Sequence, residues 1–167
     1  VKAAIALYEK AFTYPENHQV FLVDERATHD AQINYCLGLA YEKLGDKDSA
    51  RKYFELSANQ DYKLKGSKDW RYYSAMAMKK LGRNAEAREI LRKMVREGKD
   101  GIIKEYINFY GAEGTTGVTV DGKNAAAYYT RALGELGLGH RLRARRYLEK
   151  VVSLDYDNLW ANELLKK

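Results

Sequence analysis

Small and apolar residues recur along this chain at helical spacing, and one phrase returns three times. Leucine is followed by glycine at Leu44-Gly45, Leu81-Gly82 and Leu138-Gly139. Seven places before each glycine stands a small residue (Gly38, Ala75, Ala132), five places after it an alanine (Ala50, Ala87, Ala144), and nine places after it a bulky apolar residue (Phe54, Leu91, Leu148). Most of the remaining positions are polar or charged. The pattern predicts two antiparallel helices, with a glycine ending the first and small side chains letting the backbones approach. A pair of this size cannot bury its apolar face alone, so the pairs are expected to stack into an all-α solenoid.

The register divides the chain. Residues 1–15 read as the second helix of a truncated pair, with Ala4, Tyr8 and Ala11 in phase and Pro15 ending it. Complete pairs follow at 30–60, 68–98 and 124–158, and 159–167 reads as a capping helix with Trp160 and Leu164 inward. The glycines at 45 and 82 are 37 residues apart, but those at 82 and 139 are 57 apart, which leaves about 23 residues beyond one repeat. Segment 101–123 is therefore expected to hold an inserted helix, from the spacing of Ile102, Ile103, Tyr106, Ile107 and Tyr110, and a glycine-rich loop from Gly111 to Asn124 with a turn at Asp121-Gly122. A second insertion, Glu16 to His29, contains the apolar run Val20 to Val23 and is expected to pack on the array. Because Val1 opens in mid-unit, the chain reads as a fragment of a larger protein.

Composition changes this picture little. The 167 residues suffice for one domain, and no run approaches the ~18 apolar residues of a membrane span. Cys36, the single cysteine, reads as a small buried filler. A net charge of +6 raises nucleic acid or an acidic partner. Arg83, Arg88, Arg92, Lys93, Arg96 and then Arg141, Arg143, Arg145, Arg146, Lys150 fall on second helices, however, and glutamates interrupt them, so a solvated face with no nucleic acid is the reading.

Catalytic chemistry finds little support. His18, His29 and His140 lie at predicted loops or a helix start, outside any two-histidine zinc spacing. Gly111, Gly114 and Gly117 lack the strand a phosphate loop needs, and Gly122-Lys123 is followed by Asn124 where Ser or Thr is required. Asp155, Asp157 and Asn158 start like a calcium loop without completing it, and are expected to cap the last helix. No catalytic residue, metal ligand or cofactor is expected.

The run Leu37-Gly38-Leu39-Ala40-Tyr41 to Leu44-Gly45, then Ala50 and Phe54, resembles the tetratricopeptide repeat, with weaker copies that place Met78 and Glu135 where the first has Tyr41. The resemblance implies a superhelix of about three repeats whose first helices line a concave face and whose second helices face outward. On that concave face it places a ladder of Tyr35, Tyr72 and Tyr129, then Leu39, Met76 and Leu133, then Glu42-Lys43 and Lys79-Lys80. Tyrosine offers a rigid apolar face with a hydrogen-bonding tip, suited to a peptide or a sugar ring. The clamp for acidic C-termini found in this family uses Lys, Arg and Asn at such positions, so none is expected here. The implied function is a non-catalytic scaffold that docks a peptide, a partner domain or an upstream domain of the same polypeptide, away from membranes and with the cytoplasm favoured. A further likeness, carried by Tyr14-Pro15-Glu16-Asn17 and Leu133 to Gly139, is to the helical tail of large bacterial proteins with a carbohydrate-associated upstream domain. It implies an alternative role as an accessory domain of a carbohydrate-active enzyme.

Overall fold

The computed structural model describes residues 1–12, 30–60, 70–103 and 120–166, and among them the only regular elements are α-helices. In chain order they are α1 (Lys2–Lys10), α2 (Asp30–Leu44), α3 (Lys47–Ala58), α4 (Trp70–Lys80), α5 (Asn84–Asp100), α6 (Val120–Gly137), α7 (Arg141–Leu154) and α8 (Leu159–Leu165). The pairs α2/α3, α4/α5 and α6/α7 are the three expected hairpins. The insertion at Glu16 to His29, Pro15, His18 and Tyr106 to Gly117 lie outside the described residues.

The same turn closes each hairpin. Gly45, Gly82 and Gly139 have φ of 83°, 80° and 87°, the left-handed region that glycine enters without a Cβ penalty. The next residue's N–H then donates back to a carbonyl five residues earlier: Asp46 to Tyr41 at 3.1 Å, Arg83 to Met78 at 2.8 Å and His140 to Glu135 at 2.9 Å. This satisfies carbonyls that a helix end otherwise orphans. Asp46 additionally caps α3, its carboxylate accepting from the Ser49 N–H at 3.0 Å. Hydrogen bonding to Ser49 is the leading cause holding the Asp46 carboxyl below its usual value.

The chain divides into two compact units, Val1–Ile90 and Leu91–Lys167, with the division inside α5. In the first, Ala31, Leu37, Ala50, Phe54, Ala75 and Met78 are buried. A Cβ on Gly38 would come within 2.5 Å of the Phe54 ring, so the ring occupies the space the missing side chain leaves. Two buried hydroxyls tie the three central helices together: Ser74 donates to the Ser57 carbonyl at 2.7 Å, and Ser57 donates to the Ala31 carbonyl at 2.8 Å. The second unit buries Leu91, Met94, Leu133, Leu148 and Val151. There α6 lies close on α5, where a Cβ on Gly134 would meet the Leu91 carbonyl oxygen at 2.9 Å.

Four expectations need correction. α6 begins at Val120, so Asp121-Gly122 lies in a helical first turn and not in a loop. Asn124 explains part of this: its Oδ1 accepts from the Ile103 N–H at 2.8 Å and its Nδ2 donates to the Ile103 carbonyl at 3.2 Å, so it anchors the new helix to the chain leaving α5. Ile102 and Ile103, expected to open the inserted helix, are not helical. Trp160, expected inward, is 47% exposed, whereas Ala161 is fully buried. Asn158 sets that phase by accepting from the Ala161 N–H at 3.0 Å, which brings the small residue to the contact. Asp155 supports the cap by accepting from the Asn158 amide at 2.9 Å. Cys36 is half-buried rather than fully buried, and its proximity is the first cause pushing the Tyr8 hydroxyl up.

Candidate functional site

The first helices of the first unit, α2 and α4, pack on each other and carry partly exposed aromatic and aliphatic residues. Tyr35, Leu39, Tyr72, Met76 and Lys79 are all half-buried, and Glu42 is exposed. Tyr35 stands between Phe54 and Tyr73, each ring centroid 6.0 Å away, and Tyr72 meets Tyr73 edge-on at 5.2 Å. Tilted and edge-to-face geometries of this kind lock the rings in place and leave their free edges fixed in space. Burial first, then neighbouring Tyr72, Cys36 and Glu42, pushes the Tyr35 hydroxyl up to about 12. Burial likewise raises Tyr72. Both rings are therefore neutral hydrogen-bonding groups at ordinary pH and cannot act as phenolates.

One end of this surface is fixed by charge. Lys80 Nζ is 2.6 Å from Glu42 Oε2, tying α4 to α2, and stands 5.9 Å from the Phe54 ring centroid. Beside the pair opens a groove with a volume of about 650 Å³, lined by Phe54, Glu42, Lys80, Arg51, Arg83 and Asn59. Arg83 is engaged there by Glu86 at 2.7 Å and by Asn59 at 2.8 Å. Its guanidinium is pushed up first by the Glu86 bond, and that bond first holds the Glu86 carboxyl down. Of the cations lining the groove, Lys80, Arg51 and Arg83 are thus matched with Glu42, Glu55 and Glu86, over an aromatic wall.

The structure divides the sequence-derived candidates. Tyr35, Leu39, Glu42, Tyr72, Met76 and Lys79 belong to the first unit and share the α2/α4 surface. Tyr129 and Leu133 belong to the second unit and are 8% and 1% exposed, so they serve its core and have little surface to offer a ligand. Sequence reasoning missed Tyr73. It is the immediate neighbour of a named candidate, and a repeat register read from one helix does not tell which of two adjacent residues a second helix will touch.

Position 135 breaks the register differently. Where the first hairpin has Tyr41, which stacks on Tyr53 at 5.3 Å and donates to Glu9 at 3.3 Å, the third has a carboxylate 4% exposed. Glu135 meets His140 Nδ1 at 2.6 Å, so His140, whose side chain is 48% exposed, is held by a partner across the turn. Among the described residues no group of three or more His, Cys, Asp and Glu side chains is placed to hold a metal ion, and no helix is long and apolar enough to cross a membrane.

Residues 31–63 match a family model described as tetratricopeptide repeat, and residues 71–97 match a second model with the same description. The first match covers α3 and nearly all of α2, the second nearly all of α4 and most of α5. No curated protein and no solved structure matches the chain.

Proposed function

From the tetratricopeptide repeats matched at 31–63 and 71–97, we propose that the side-by-side α2 and α4 helices form the protein's docking face. The occupant is a peptide segment or an edge of a partner domain that presents apolar side chains. Repeats of this family support a protein-interaction scaffold in general. What supports the particular face is the pairing of Tyr35 and Leu39 on α2 with Tyr72 and Met76 on α4, all half-exposed in one unit. Aromatic rings already held by neighbours lose little freedom on binding, which favours them as anchors. Glu42 and Lys79 would set the polarity at one end.

A peptide library selected on the full chain, followed by calorimetry on the recovered sequences, tests the reading. Binding should be weakened at least about tenfold by Tyr72→Ala or Met76→Ala, with the melting temperature of each variant recorded to separate surface from fold. Recovered peptides unaffected by both changes would place recognition elsewhere. Saturable binding of free oligosaccharides that vanishes in Tyr72→Ala would replace the proposal with the accessory carbohydrate role.

A further inference from the structure

One helix carries most of the protein's excess charge. α7 holds Arg141, Arg143, Arg145, Arg146 and Lys150 against the single acid Glu149, so four of the chain's six net positive charges sit within its 14 residues. Arg145 reaches Glu149 at 3.2 Å, an i,i+4 pair with both side chains more than half exposed. Arg141, Arg143, Arg146 and Lys150 are exposed, and no acid among the described residues pairs with them. A cluster of like charges on one short helix repels itself and is retained at a cost unless a counter-charge arrives.

The phase of α7 shows what that counter-charge looks like. Ala144, Leu148 and Val151 are buried, which fixes the inward side. At about 100° per residue, the outward pole falls between Leu142 and Arg146, with Lys150 and Arg143 on one flank, the paired Glu149 and Arg145 on the other, and Arg141 nearer the inward side. Leu142 is 79% exposed. Leu142 thus lies between Arg146 and the Arg145–Glu149 pair, with the unpaired cations Arg146, Lys150 and Arg143 all to one side of it, a pattern that suits a partner bringing carboxylates beside an apolar side chain.

We infer that the outer face of α7 docks an acidic protein segment, whose carboxylates pair with Arg143, Arg146 and Lys150 and whose apolar side chain rests on Leu142. Four of the five cations are arginines, which grip carboxylates in two-point fashion. A phosphodiester strand shares that anionic chemistry but has no use for Leu142, and its bases would need a free aromatic face on the helix. The ring α7 supplies, Tyr147, is taken: the Arg131 guanidinium lies 4.2 Å from its centroid and Tyr128 stacks on it at 6.2 Å. This face belongs to the unit Leu91–Lys167, whereas the proposed α2/α4 face belongs to Val1–Ile90, so either can fail without the other.

The test titrates the full chain with a fluorescent synthetic peptide of glutamates and leucines at helical spacing, at low and at raised salt. Saturable binding is expected, weakened by salt, by at least about tenfold in the triple variant R143Q/R146Q/K150Q, and measurably by Leu142→Ser. A second triple variant, R92Q/K93Q/R96Q, removes equal charge from α5 and should leave the affinity within about twofold of the parent. Amide shifts of the unaltered protein, read on adding the peptide, should move along α7 and give a readout independent of how the variants fold. Equal loss from both triple variants would reduce the effect to bulk charge and overturn the inference. Tighter binding of a single-stranded oligonucleotide of the same charge, or shifts confined to other helices, would overturn it as well.

Discussion

Gly38 and Gly45 stand seven residues apart and are glycine for opposite reasons. At Gly38 the backbone is an ordinary helix and the demand is space, since the Phe54 ring fills the place of a Cβ at 2.5 Å. At Gly45 nothing lies within 4 Å of the point a Cβ would occupy, and the demand is conformational, with φ at 83°. Gly38→Ala should lower unfolding free energy by about 1–3 kcal/mol through overpacking, and Gly45→Ala by about 1–2 kcal/mol through backbone strain. Denaturant titrations of both, each combined with Phe54→Leu, separate the causes. The smaller side chain should recover part of the Gly38 loss and none of the Gly45 loss, because only the first pair is in contact. Both glycines were legible in the sequence, as a small residue and a turn at fixed spacing. The Ser74–Ser57–Ala31 relay was not, because a serine in a helix gives no sign of which carbonyl a neighbouring helix will bring to it.

For elements, the sequence told type better than phase. All three hairpins were readable because three separate signals, the turn glycine, the alanine after it and the bulky residue beyond, agreed on one register. The short α8 had only its apolar residues to speak for it, and size alone put Trp160 inward. Its cap decided otherwise, because Asn158 fixes the first turn so that Ala161 meets the core. Asn158→Ala should therefore cost about 1 kcal/mol and strip hydrogen-exchange protection from Leu159–Leu165, leaving α6 protected. Unchanged protection of α8 would mean that packing of Ala161, and not the cap, sets the helix. The start of α6 escaped for a related reason: Gly122 reads as a breaker, yet a first-turn residue needs no intrahelical N–H partner, and Asn124 supplies an anchor from outside the helix.

At the scale of the molecule, the all-helical repeat was legible and the division into two compact units was not, since the repeat pattern runs on through α5 without a mark at Ile90. Leu37 and Leu133 are the corresponding tests of the two cores, 0% and 1% exposed. Each truncation to alanine should cost about 2–5 kcal/mol. In a chain of units stabilised by near neighbours, Leu37→Ala should first release amides of α2 and α3, and Leu133→Ala those of α6 and α7. Simultaneous loss of protection throughout after either change would show a single cooperative block.

The Glu135–His140 contact makes the hairpins non-interchangeable. Grafting the α6/α7 segment into the place of α2/α3 would import an interior acid together with its imidazole, whereas moving the first helix alone would strand that acid beside Asp46, which stands where His140 does. Any effort to build longer arrays from this chain by duplicating modules must therefore cut between hairpins and never within one.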